Sequence, residues 1–166
     1  MGIFDFFKDK SESSKKINIK VNTQELEFID DVYYYNGKPF SGICFENYTN
    51  GSIKFSLECI EGIKSGSVKS YYESGELRLE DNFLNDELHG DRKIYYENGQ
   101  IKEESNYLNG MIEGNEKIYY ENGQIKEESN YSNGMKDCIS KYYSEDGNLE
   151  ESFINKLEDI EKMKVY

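Results

Sequence analysis

The stretch Lys93-Ile94-Tyr95-Tyr96-Glu97-Asn98-Gly99-Gln100-Ile101-Lys102-Glu103-Glu104-Ser105-Asn106-Tyr107 recurs unchanged as Lys117–Tyr131, and this 24-residue step decides how the chain is read. Exact self-similarity at a fixed period signals a repeat array, in which each unit is one supersecondary element. Working outward, the period holds without insertion or deletion through Gly51, Gly75, Gly99, Gly123 and Gly147. A second series runs Gly42, Gly66, Gly90 and Gly114. In each unit an Asn-Gly-like pair lies between two β-prone runs, which predicts a two-residue type I′ hairpin with positive φ at both positions. Residues 43–153 are therefore expected to form successive hairpins turning at Asn50-Gly51, Ser74-Gly75, Asn98-Gly99, Asn122-Gly123 and Asp146-Gly147.

A two-residue turn places Glu97 opposite Gln100, Tyr96 opposite Ile101, Tyr95 opposite Lys102, Ile94 opposite Glu103 and Lys93 opposite Glu104. One face then carries Ile94, Tyr96, Ile101 and Tyr107, and the other carries Lys93, Tyr95, Lys102, Glu104 and Asn106. Stacking predicts an apolar ladder of Tyr48, Tyr72, Tyr96 and Tyr120 beside Ile53, Leu77, Ile101, Ile125 and Leu149, read as the core. A second aromatic row, Tyr71, Tyr95, Tyr119 and Tyr143, falls on the polar face, where tyrosine serves half-buried packing or binding. A few buried side chains per unit, at about 1.5–3 kcal/mol each, do not offset about 1–2 kcal/mol of backbone entropy per residue. The units must stack.

The fold class is thus all-β, an elongated antiparallel meander of tandem 24-residue hairpins. Residues 1–16 read as a flexible N-terminus, 17–41 as an N-terminal cap with a first, divergent hairpin (Val32–Tyr35, then Asn36-Gly37), 42–153 as the repeat array and 154–166 as a C-terminal cap. There, Leu157, Ile160 and Met163 have the spacing of a short helix covering the last strand edge.

Of the formal charge of −13, nearly all comes from residues 42–153, which hold 11 Lys/Arg against 23 Asp/Glu. Nucleic acid is a poor ligand for such a surface, because phosphate binding is driven by Lys and Arg. A basic protein fits it, and so does the plainer reading that acidity keeps an edge-rich sheet soluble. Anionic membrane is disfavoured by the same charge. Cys44, Cys59 and Cys138 lack metal-ligand spacing and read as small packing residues in a reducing, cytoplasmic setting. The run at Phe4, Phe6 and Phe7 is too short for a signal peptide or a span, and Phe6 stands where myristoylation wants Ser or Thr.

Catalytic constellations are missing from the sequence. His89 is the sole histidine and sits at a repeat junction, so no Ser-His-Asp or Cys-His set can be assembled around it. The pairs Glu103-Glu104 and Glu127-Glu128 point to opposite faces of a strand and are read as a solvated face rather than an acid–base couple. No enzyme activity and no cofactor are expected.

Residues Tyr34-Tyr35-Asn36-Gly37-Lys38-Pro39-Phe40-Ser41-Gly42, followed by units of the form Tyr-Tyr-Glu-x-Gly-x-Ile/Leu-Lys/Arg-x-Glu, resemble the MORN-repeat-variant family over about residues 32–153. Asn47, where later units have Tyr, and Cys138, in place of the recurrent Gly, depart from the pattern. The resemblance implies a repeat scaffold, and in bacteria it extends to the YwqK-like antitoxins. Taken with the charge, it suggests an antitoxin or immunity-type protein that binds a basic toxin through Tyr71, Tyr95, Tyr119, Tyr143, Glu104 and Glu128. The alternative is a structural or membrane-associated scaffold. Oligomeric state stays open.

Overall fold

The computed structural model describes residues 19–154. Its strands, in chain order, are β1 (Lys20–Asn22), β2 (Glu27–Ile29), β3 (Val32–Tyr35), β4 (Lys38–Pro39), β5 (Gly42–Asn47), β6 (Ile53–Ile60), β7 (Ile63–Tyr71), β8 (Leu77–Leu84), β9 (Glu87–Leu88), β10 (Gly90–Tyr95), β11 (Ile101–Leu108), β12 (Met111–Ile112), β13 (Gly114–Tyr119), β14 (Ile125–Ser132), β15 (Met135–Tyr143) and β16 (Leu149–Ile154). From β5 to β16 the strands follow one another through a single antiparallel sheet, with β9 and β12 paired beside the main path. β1 joins its edge parallel to β5. The expected all-β meander is present. The expected C-terminal helix and the Phe-rich start lie outside the described residues.

The turns differ from expectation, and the difference is physical. At Asn98-Gly99 only glycine has positive φ (+83°). Gly99 N–H donates to Tyr96 O at 3.0 Å and Tyr96 N–H to Gln100 O at 2.8 Å. These bonds close a three-residue loop, Glu97-Asn98-Gly99, with a glycine bulge rather than a two-residue type I′ turn. Asn98 is used differently: its side-chain oxygen accepts Gln100 N–H at 2.9 Å. The bulge moves Ile101 opposite Tyr95, whereas Ile94–Glu103 and Lys93–Glu104 pair as expected. The type I′ pairs lie instead between units. Asn109 and Gly110 both have positive φ (51° and 78°), and Leu108 and Met111 pair across them. Glu61-Gly62, Asn85-Asp86 and Asn133-Gly134 follow the same rule.

The ladder expected to be the core is not one. Ile53 is 46% exposed and Leu149 57%, while Tyr48, Tyr72, Tyr96 and Tyr120 are half-buried. Among the described residues, no second layer covers that ladder. These tyrosines act as cross-links: the hydroxyls of Tyr48, Tyr72, Tyr96 and Tyr120 donate to the carbonyls of Tyr71, Tyr95, Tyr119 and Tyr143 in the next unit, at 2.7–2.9 Å. Asn50, Asn98 and Asn122 do the same to Glu73, Glu121 and Glu145. Neighbouring loops are thereby tied at every step, the nearest-neighbour coupling that holds repeat arrays together.

The buried apolar cluster is N-terminal: Val21, Phe40, Cys44, Leu57 and Cys59, with Tyr33, Tyr35, Phe55 and Val68 packed against it. The expected first hairpin is there as β3–β4, and with β2 it forms a small sheet joined to the array at Gly62. Tyr33 N–H donates to Gly62 O at 2.9 Å, and Gly62 N–H to Phe40 O at 2.7 Å. Cys44 and Cys59 are fully buried free thiols, in keeping with their reading as packing residues.

Candidate functional site

Strand register sorts the array into two faces of different chemistry. On the first, an unbroken row crosses seven strands as Lys69, Glu80, Lys93, Glu104, Lys117, Glu128 and Lys141, each paired with the next. Side chains meet at 2.8 Å for Lys69–Glu80, 3.9 Å for Lys117–Glu104 and 3.3 Å for Lys141–Glu128. We call this the ladder face. The strict 24-residue repeat produces it, since Lys93 and Lys117, and likewise Glu104 and Glu128, recur one unit apart on facing strands. The glutamates of this row are balanced by lysines in register, so the row offers little net charge to a partner.

The binding residues expected from the sequence belong here in part. Tyr119 Oη donates to Glu104 Oε1 at 2.5 Å, and burial together with that bond raises the Tyr119 hydroxyl well above the ordinary tyrosine range. Tyr71, Tyr95 and Tyr143 are half-buried at the equivalent positions. Glu104 and Glu128 are held by Lys117 and Lys141. Between β10, β11 and β13 lies a shallow recess of about 230 Å³ lined by Asp91, Lys93, Glu104, Asn106, Asn115 and Lys117. It opens because β11 and β13 pair only at Glu103–Ile118 and Glu104–Lys117.

The second face, called the open face, carries the neighbouring residues of the same strands. Its central row starts apolar, with Cys44, Leu57 and Val68 in register, and turns polar at Asp81. Farther along, Arg92 pairs with Ser105, and Glu116 with Ser129, which faces Ser140. Asp81, Ser105, Ser129 and Ser140 are buried, at 5%, 6%, 2% and 6% exposure. Beside this row runs a second: Leu79, Ile94, Glu103, Ile118, Glu127 and Tyr142.

Electrostatics on the open face are strained. Burial raises the Asp81 carboxyl, against the pull of Arg92 at 3.6 Å. Glu103 lies between Ile94 and Ile118, and its carboxyl is raised by burial and then by the nearby Glu116, more than Arg92 and Lys102 lower it. Burial alone would raise Glu127, but Lys136 at 2.6 Å and Ser129 at 3.0 Å leave it below the usual range. Glu116 accepts from Tyr131 Oη at 3.0 Å. Among the described residues, neither Glu103 nor Glu116 has an ion-pair partner within 4.0 Å. Asp81 Oδ1, Arg92 Nε and Ser105 Oγ are buried without a hydrogen-bond partner.

Glu103 and Glu127, expected from the sequence on a solvated face, are half-buried, because Ile94 and Ile118 flank Glu103 and Ile118 and Tyr142 flank Glu127 on the adjacent strands. As expected, Glu103 and Glu104 point to opposite faces. Register alone could have found the unequal charge, since Glu104 meets lysines on both sides and Glu103 meets isoleucines. His89 sits where β9 meets β10, its N–H donating to Asn82 O at 2.9 Å. Among the described residues, no group of three His, Cys, Asp or Glu could hold a metal, and no helix is long and apolar enough to cross a membrane.

Among the described residues, a one-layer sheet of cross-linked hairpin units defines a tandem-repeat array. Residues 64–85, 88–109 and 112–133, three consecutive units, each match the model of the MORN repeat variant. Repeats of this kind generally serve protein or membrane interaction and are typically non-enzymatic. The hairpins β5–β6 and β15–β16 share the loop geometry around Gly51 and Gly147 but lie outside those matches. No curated protein matches the chain.

Proposed function

We propose that this chain is a non-catalytic binding protein for a basic protein partner, and within that class an antitoxin or immunity-type protein acting in the cytoplasm. The observation that carries the reading is the excess of acid in the repeat sheet: 23 Asp/Glu against 11 Lys/Arg over residues 42–153. Acidic surfaces speed encounter with basic partners, and toxins that act on nucleic acid are commonly basic. The tyrosine row at 71, 95, 119 and 143 supplies rigid aromatic contact area on the ladder face.

Co-expression with the product of the adjacent gene tests the antitoxin form. A neighbour that arrests growth alone and is silenced by the folded protein supports it; a neighbour that is harmless, or stays toxic, removes it. A scaffold or membrane-surface role is the second reading. It is favoured by the exposed Ile60, Leu84, Leu108, Met111 and Met135 along the inter-unit turns, 46–71% exposed. Co-flotation with zwitterionic vesicles, lost on changing Leu108 and Met135 to Ser, supports that role.

A further inference from the structure

We propose that Glu103 and Glu116 on the open face form the seat for one arginine side chain of a protein partner. The inference rests on the binding-protein reading and names the surface and chemistry it uses. Four observations converge on the place. The two glutamates stand on facing strands of successive units, close enough for Glu116 to oppose ionisation of Glu103, and neither has an internal counter-ion within 4.0 Å among the described residues. Ser105, in register between Arg92 and Glu116 and 6% exposed, has a hydroxyl with no partner. Ile94 and Ile118 flank Glu103, and Tyr131 holds Glu116 through its hydroxyl at 3.0 Å. In the central row of the ladder face the glutamates Glu80, Glu104 and Glu128 are each set against lysine, whereas Glu103 and Glu116 have none opposite.

Two carboxylates left unpaired beside apolar side chains cost folding free energy that a cation can return. A guanidinium suits the place better than an ammonium. Its planar fork presents several N–H donors, enough to meet two carboxylates on adjacent strands. Glu116 lies diagonally across from Glu103, whose register partner is Ile118, and such diagonal neighbours stand about 7–8 Å apart, a gap that two long glutamate side chains and one fork can bridge. Arg92 does not fill the role, being turned to Asp81 at 3.6 Å.

The test titrates the full chain with fluorescein-labelled tetra-arginine amide, with tetra-citrulline amide as the neutral isostere, at physiological salt. Binding of the arginine peptide should weaken about tenfold or more in the double variant E103Q/E116Q and stay within about twofold in E104Q/E128Q. Circular dichroism should show both variants folded, and E103Q/E116Q should melt no lower than the parent. Equal loss in the two variants, greater loss in E104Q/E128Q, equal affinity for the citrulline peptide, or no binding by the parent chain each overturns the seat. Failure of the binding-protein reading shows separately: the parent chain then forms no complex with the adjacent gene product, whichever face is altered.

Discussion

At the residue scale, the same side chain does different work depending on its row. Tyr96 and Tyr95 are neighbours in sequence, yet Tyr96 ties its loop to the next unit through Tyr119 O at 2.7 Å, while Tyr95 lines the ladder face. Removing only the hydroxyl, Tyr96→Phe, should cost about 1 kcal/mol, read as a shift of the urea midpoint at unchanged slope. No change would show that water replaces the bond at no cost. Arg92 is the counterpart for charge. Arg92→Ala leaves the 5% exposed Asp81 without its cation and should cost about 3 kcal/mol. Lys69→Ala, on a pair with a third or more of each side chain in solvent or close to it, should cost about 0.5 kcal/mol. Similar losses for the two would mean that Asp81 is not confined.

At the scale of the element, the hairpin loops show what could be read in advance. Glycine at 51, 75, 99, 123 and 147 marks every loop correctly, because the bulge position needs positive φ and little else. The turn type differs from the expected one, because Asn-Gly between strands satisfies two geometries and the hydrogen bonds of Tyr96 distinguish them. The inter-unit turns at Asn109-Gly110 and Asn133-Gly134 carry the same dipeptide but lie off the glycine series that sets the period, so the period alone does not mark them. Backbone conformation and packing can be separated by mutation here. Gly99→Ala has open space around the added methyl and should cost about 1 kcal/mol, from φ alone. Gly62→Ala would also drive that methyl into Val32 and to 2.8 Å from Tyr33 O, so it should lose clearly more stability in the same melt. Equal costs would deny the tight joint between the small sheet and the array.

At the scale of the whole molecule, the period made the sheet, its strand order and its Lys–Glu ladder legible. It could not show where the core sits, because a ladder of tyrosines and isoleucines looks like a core until the absence of a covering layer is known. The expected binding tyrosines stand on one face, but Glu103, set among isoleucines, stands on the other, a consequence of Glu103 and Glu104 alternating across the strand. This asymmetry makes stability depend on pH in a defined direction. Glu103 has a folded pKa above its unfolded value, so the folded chain binds more protons there, and its contribution is greatest below the unfolded pKa and lost as pH rises through the folded one. Glu103→Gln should therefore raise the melting temperature at pH 7, with the gain shrinking toward pH 4. A gain that grows on acidification would reverse the sign of the argument. The central claim, that the ladder row sets its glutamates against lysines while Glu103 on the open face stands among isoleucines without an ion-pair partner, is most directly tested by a carbon-detected NMR titration of the Glu103 side-chain carboxyl in the intact chain: a midpoint above the ordinary glutamate range is predicted, and one at or below that range would contradict the account.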